Sequence, residues 1–217
     1  MKKILLILTL SIFSFASNLP INSVVKIFST VSDQNYLEPW ENPKIYNLTG
    51  SGAIIKDNRI LTSAHVVSGA NFVEVQKEND SKKYDATVKY ISNDVDLAIL
   101  EVNDKTFFAD TKPLEISEDI KIKDSVTAIG YPVGGNTLST TNGIVSRIEY
   151  RNYVWNPWAK YMTIQVDAAI NSGNSGGAII DKDNKLIGIA MMKLTNTDKI
   201  AYIVPSVVIN TFLNDIK

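Results

Sequence analysis

Apolar and β-branched residues recur in short runs, separated by turn residues, along almost the whole chain. Val24–Ser29, Ser51–Lys56, Arg59–Thr62, Phe72–Gln76, Thr87–Ile91 and Leu97–Val102 form one series. Ser125–Gly130, Gly143–Tyr150, Met162–Val166, Ala178–Asp181, Leu186–Met191 and Ile200–Val204 form a second. Runs this short, punctuated by turns such as Lys56-Asp57-Asn58, read as strands rather than helices. Two sets of about six, at the spacing of closed antiparallel sheets, predict an all-β chain of two six-stranded antiparallel β-barrels. The first barrel is expected over about residues 23–104 and the second over about 119–205, with Lys105–Glu118 and its Pro113 as the linker. Only Ser206–Ile216 has helical character. There Val207, Val208, Thr211 and Phe212 fall at i, i+1, i+4 and i+5 behind Pro205, which predicts a short C-terminal helix.

Two longer irregular stretches, Ser32–Asn47 and Arg151–Tyr161, hold all three tryptophans, Trp40, Trp155 and Trp158. They are expected to be loops whose rings pack half-buried against the underside of the loop.

The N-terminus breaks the strand pattern. Lys2 and Lys3 precede an apolar run, Ile4–Phe13, too short to span a bilayer, and Ser14-Phe15-Ala16 supplies small residues for cleavage. Residues 1–16 therefore read as a secretory signal cut after Ala16, with an uncleaved anchor as the alternative, and residues 17–217 as the working domain. Cleavage would take 22 basic residues to 20 against 23 acidic. No long Lys/Arg run exists, so neither nucleic acid nor an anionic membrane is indicated as a partner, and no stable membrane insertion is expected after cleavage. The chain has no cysteine. That excludes disulfides, thiolate metal sites and a cysteine nucleophile, and for an exported chain it suits a bacterial periplasm or exterior.

Chemistry concentrates in Asn171-Ser172-Gly173-Asn174-Ser175-Gly176-Gly177, directly after the apolar segment Ile164–Ile170. Glycines let N–H groups approach a ligand closely, and a serine held among them can face donors aimed at a developing oxyanion. A plain Gly/Ser turn between strands is the other reading. The sole histidine, His65, follows the strand Arg59–Thr62. With one histidine and no cysteine, a metal site would have only carboxylates, so neither metal nor cofactor is expected. One imidazole suffices as general base for a serine, provided a carboxylate fixes its tautomer. Asp94 and Asp96 both stand before the apolar run Leu97–Leu100; either could be that carboxylate, or a solvated strand-start turn. Chain order narrows the choice. In an α/β-hydrolase the histidine follows the serine and a helix follows the nucleophile. Here His65 precedes Ser175, and Ala178–Asp181 leads into a hairpin turn at Lys182-Asp183-Asn184.

Thr62-Ser63-Ala64-His65-Val66-Val67, Asp96-Leu97-Ala98-Ile99-Leu100 and Gly173-Asn174-Ser175-Gly176-Gly177 resemble the chymotrypsin-fold serine proteases, and more narrowly the HtrA/Deg branch. Val24-Val25-Lys26-Ile27, Gly50-Ser51-Gly52, Gly130-Tyr131-Pro132, Asp167–Asn171 and Ala201–Ser206 share the resemblance, which runs from about Ser23 to the C-terminus. It implies Ser175 as nucleophile and His65 as general base and then acid. Asp96 becomes the orienting carboxylate, with Asp94 as fallback. The N–H groups of Gly173 and Ser175 become the oxyanion hole, and Ser172 an ordinary loop residue. The substrate pocket would be lined by Ala169, Ile170 and Asn171 and by Ala190, Met191 and Met192. Without an acid at 169 it should be shallow, apolar and suited to small or medium aliphatic side chains. The edge of strand Ile187–Met191 would take an extended peptide by β-augmentation, so protein or peptide substrates, unfolded chains above all, are expected. A catalytically silent binding or chaperone protein, or a narrow-specificity secreted protease, are the competing functions. The resemblance covers a protease domain without a PDZ module and leaves a homotrimer open.

Overall fold

The computed structural model describes residues 19–153, 156–193 and 200–217. The signal-peptide reading of residues 1–16 falls outside them, as does Trp155. The first six strands are β1 (Val24–Asp33), β2 (Lys44–Ile55), β3 (Arg59–Thr62), β4 (Ala70–Lys77), β5 (Tyr84–Ser92) and β6 (Leu97–Val102). They pair antiparallel in the order β1-β2-β3-β6-β5-β4, and β4 returns to β1, closing a six-stranded barrel. The next six are β7 (Ser125–Gly130), β8 (Ser139–Tyr153), β9 (Asn156–Val166), β10 (Ala178–Ile180), β11 (Leu186–Lys193) and β12 (Ala201–Pro205). Their order is β10-β11-β12-β9-β8-β7, and β7 pairs with β10 so that this sheet also returns on itself. A short helix, α1 (Ala64–Val67), is not expected from the pattern and carries His65. The expected all-β architecture and short C-terminal helix, α2 (Ser206–Asp215), are present.

Two-residue periodicity explains why several strands read as continuous apolar runs. On β3 and β6, Ile60, Ala98 and Leu100 point into the first barrel with Val25, Ile27 and Val75. Their neighbours Leu61, Leu97 and Ile99 point the other way, into a cluster shared with Ile129, Ala178 and Ile189 of the second sheet. Helix α2 adds Ile209 and Phe212 to that shared cluster. Val126, Ile164, Val166, Ile179 and Ile203 fill the second ring. The two lobes are therefore joined by an apolar layer as buried as either interior. The first lobe also reaches past residue 104: a 3₁₀ turn over Lys105–Phe108, capped by Asp104, puts Phe107 at 0% exposure in its core.

Of the stretches expected to be loops, Ser32–Asn47 is loop over residues 34–43, with Trp40, and strand only at its two ends, while the described residues of Arg151–Tyr161 are strand. β1 and β2 pair out to Asp33 with Lys44, and β8 and β9 out to Tyr153 with Asn156. Lys44–Asn47 is exposed on both faces, so hydrophobic alternation gives no signal there, whereas Tyr153 at the far end of β8 is buried in the cluster between the lobes. Trp158 lies within β9, not in a loop. Trp40 is 80% exposed and Trp158 94%, so the half-buried packing expected of them does not occur. Among the described residues no helix is long and apolar enough to cross a membrane.

Candidate active site

His65 sits on one helical turn whose neighbours Val66 and Val67 are buried in the first barrel's core, which fixes the ring's position at the lobe boundary. Asp96 closes the tight turn before β6 with φ of 55°, a left-handed conformation that Asp tolerates better than most residues. Its carboxylate is 1% exposed. One oxygen, Oδ1, accepts the His65 backbone N–H at 2.9 Å, and Oδ2 lies 2.8 Å from His65 Nδ1. A carboxylate in this place accepts a hydrogen bond from Nδ1–H, which keeps the ring proton on Nδ1 and leaves Nε2 as the acceptor. Asp94, the fallback, stands exposed two residues earlier, and the carboxylate that meets the imidazole is that of Asp96. Tyr153, from the end of β8, is buried beside this pair and donates to the Met162 carbonyl at 2.9 Å. Burial first, and then the charge of Asp96, hold its phenol far above the ordinary range, so it is neutral at any working pH. Sequence patterning places Tyr153 in a loop and gives no sign of this role.

Ser175 comes from the other lobe and is partly exposed. Its carbonyl accepts the Ser51 N–H at 2.8 Å, and the Gly176 N–H donates to Ala190 O at 2.8 Å. The backbone of 175–176 thus lies against Thr62, Ser63 and Val66, the segment that carries His65. A Cβ on Gly176, whose φ is 80°, would land on the Ser51 carbonyl oxygen and Thr62 Oγ1. Gly176→Ala should accordingly cost about 1–3 kcal/mol in left-handed strain, before the clash is counted, read as a lowered urea midpoint. Among the described residues the Ser175 hydroxyl makes no hydrogen bond to His65; such contacts commonly tighten only when substrate is bound.

Asn171–Asn174 forms a turn closed by Asn174 N–H to Asn171 O at 2.9 Å. Gly173 occupies its third position with φ of 91°, as a type II turn requires. A side chain there would meet Tyr131 O at 2.5 Å and Val133 N at 2.7 Å. Among the described residues neither the Gly173 nor the Ser175 N–H donates to another backbone carbonyl. Two unspent donors therefore flank the partly exposed serine.

The residues expected to line a substrate pocket divide. Ala169 and Asn171 are exposed. Ile170 and Ala190 point into the interior of the second ring, and Met191 into the cluster between the lobes; the side chain of Met192 lies outside the described residues. The β11 edge is also more occupied than expected. Ala178 and Ile179 of β10 pair with Ile189 and Gly188. The Gly176 N–H then donates to the Ala190 carbonyl, and the Ala190 N–H donates to the Gly177 carbonyl. Only Met191–Lys193 continues past that pairing.

A family model described as a trypsin-like peptidase domain matches residues 50–189. The chain belongs to that family. Within it the similarity is to the HtrA/Do-like serine proteases. The chain is 42% identical over 208 residues to the mitochondrial protease Do-like 4 of Arabidopsis thaliana, covering 95% of this chain and 40% of that protein. It is 40% identical over 193 residues to a serine protease DegP homolog of Plasmodium falciparum, covering 89% of this chain and 22% of that protein. It thus spans well under half the length of these relatives. Among solved structures, the Rv3671c protease of M. tuberculosis in its active form superposes with a TM-score of 0.75 at 26% identity, over 90% of this chain and 81% of that one. The HtrA-type protease AlgW with a decapeptide gives 0.73 at 25%, over 90% and 64%.

Proposed function

We propose that this trypsin-like peptidase domain is a serine endopeptidase in which Ser175 attacks the scissile carbonyl, His65 takes and returns the proton, and Asp96 orients the imidazole. The observation that carries the reading is the double engagement of Asp96. By accepting both the backbone N–H and the ring Nδ1 of His65, the carboxylate fixes ring rotation and tautomer together. Nε2 is then an acceptor for a hydroxyl proton at the boundary between the lobes. As Ser175 Oγ bonds to the carbonyl carbon, the carbonyl oxygen gains charge, and the N–H groups of Gly173 and Ser175 are the donors placed to bind it. Collapse of the tetrahedral species expels the amine, which takes its proton from His65, and leaves an acyl-enzyme on Ser175. Water, deprotonated by the same imidazole, releases the acid.

Extended segments are the substrate form this site favours, since Met191–Lys193 can add main-chain hydrogen bonds to a peptide past Gly177. Unfolded or misfolded proteins expose such segments. A preference for small or medium aliphatic residues rests on Ala169 carrying no charge. Export rests on the Lys2-Lys3 and Ile4–Phe13 pattern. The decisive test is covalent labelling by a fluorophosphonate probe followed by peptide mapping. The expected adduct is on Ser175 alone, with Ser172 unmodified. A folded protein that takes up no probe, yet suppresses aggregation of an unfolded client, would instead support the binding-protein reading.

A further inference from the structure

The motif Gly50-Ser51-Gly52 lies on β2 where the two lobes meet, and its serine has no place in the triad. Ser51 is nonetheless wholly buried, at 0% exposure. Its N–H donates to Ser175 O at 2.8 Å. Its Oγ donates to Gly173 O at 2.7 Å and accepts the Tyr131 N–H at 2.8 Å. Its carbonyl accepts Thr62 Oγ1 at 2.7 Å. A hydroxyl has one proton; with Tyr131 N–H on a lone pair, that proton goes to Gly173. Three of the four partners belong to the second lobe, and the fourth precedes the helical turn that carries His65.

These contacts complete a set along the active loop. The carbonyls of residues 172, 173, 174 and 175 are taken in turn by Val133 N–H, Ser51 Oγ, Gly177 N–H and Ser51 N–H. Peptide planes are rigid, so holding consecutive carbonyls dictates where the intervening N–H groups point. Ser51 supplies every second clamp. We infer that Ser51 is a positioning residue for the oxyanion loop, tying the nucleophile's lobe to the base's lobe through one side chain. The inference rests on the proposed roles of Gly173, Ser175 and His65. Without the hydroxyl, the Gly173 carbonyl and the Tyr131 N–H both lose their buried partner, and the loop is no longer pinned at its glycine.

The test is Ser51→Ala against wild type, by kinetics on an extended peptide substrate, inhibition by a peptide boronic acid, and amide hydrogen exchange of residues 171–177. The expected result is a kcat about 10–100-fold lower, the scale of an ångström-size misplacement, with KM within about threefold. Boronate affinity should fall in the same proportion, because the boronate fills the oxyanion position as the transition state does. Exchange over 171–177 should quicken about tenfold while β6 stays protected. A merely structural role would lower the urea midpoint and leave kcat of the folded enzyme alone. Unchanged kcat and boronate affinity overturn the inference, whatever the exchange shows. If wild type itself neither labels nor cleaves, the proposed function fails, and exchange alone decides: unchanged protection of 171–177 removes Ser51 as the clamp, and faster exchange keeps it.

Discussion

Ser175→Ala lowers kcat for peptide hydrolysis by about 10⁶-fold, the loss measured for triad serines in other enzymes. The size follows from chemistry rather than packing. Alanine removes the atom proposed to bond to the substrate, and leaves the His65–Asp96 pair, belonging to the other lobe, only water to deprotonate. The loop should keep its form, because the carbonyl of residue 175, not its hydroxyl, is what Ser51 holds. Thermal stability should therefore change little, and KM should stay within a few-fold of wild type. Ser172→Ala is the matched control: its backbone carbonyl bonds to Val133 N–H at 2.7 Å but its side chain is exposed, so activity should hold within about twofold. The measurement is hydrolysis of casein or a peptide reporter by proteins confirmed folded by circular dichroism. Equal loss in both variants would remove Ser175 from its special place.

Asp96→Asn lowers kcat by about 10⁴-fold, the scale seen when a triad carboxylate becomes an amide, and the geometry here gives the reason. The His65 backbone N–H needs an acceptor, so the oxygen of the introduced amide takes the Oδ1 position, 2.9 Å from that nitrogen. The amide NH₂ then falls where Oδ2 was, 2.8 Å from His65 Nδ1. It donates, Nδ1 must accept, and the ring proton moves to Nε2. The imidazole is held as firmly as before in the wrong tautomer and cannot take the serine's proton. Asp94→Asn, at the exposed turn, should leave the rate within about twofold. Similar losses in the two variants would contradict the assignment of Asp96. A lesser loss in Asp96→Asn, near that of an ordinary surface change, would mean that the carboxylate serves folding rather than chemistry.

Much of this architecture is legible from the chain because the strands nearest the site are buried on both faces. Leu97–Leu100 announces itself as apolar throughout, and so do Ile60–Leu61 and Ala178–Ile180; length and turn residues then mark them as strands. The outer halves of β2, β8 and β9 carry no such record. Lys44–Leu48 is exposed on both faces, so its pairing with β1 rests on main-chain hydrogen bonds and on Thr30 Oγ1 donating to Asn47 Oδ1 at 3.2 Å, neither of which leaves an apolar pattern. Trp40 and Trp158, whose amphipathic rings suggest half-burial, are 80% and 94% exposed. At the site, His65 and Ser175 can be singled out because one is the sole histidine and the other sits among glycines. Choosing Asp96 over Asp94 on physical grounds needs the turn geometry that buries one and exposes the other. Ser51 is visible in the sequence only as part of a motif. Its four partners lie between 11 and 124 residues away in the chain, and nothing local marks a serine between two glycines as a clamp. Two of the residues named for the pocket, Ile170 beyond the end of β9 and Ala190 on β11, bury their side chains in the second ring, an orientation that spacing from Ser175 does not encode.

The division of labour between the lobes also bears on how the protein is made. Folding during synthesis proceeds from the N-terminus, so a nascent first barrel can hold His65 against Asp96 long before residue 175 has left the ribosome. On the proposed roles, the base and its orienting carboxylate are then in place while the nucleophile does not yet exist, and the loop that carries it gains its shape only when a finished Ser51 is there to receive it. The proposed cleavage would thereby be withheld from the chain's own unfinished state by nothing more than the order in which its parts emerge.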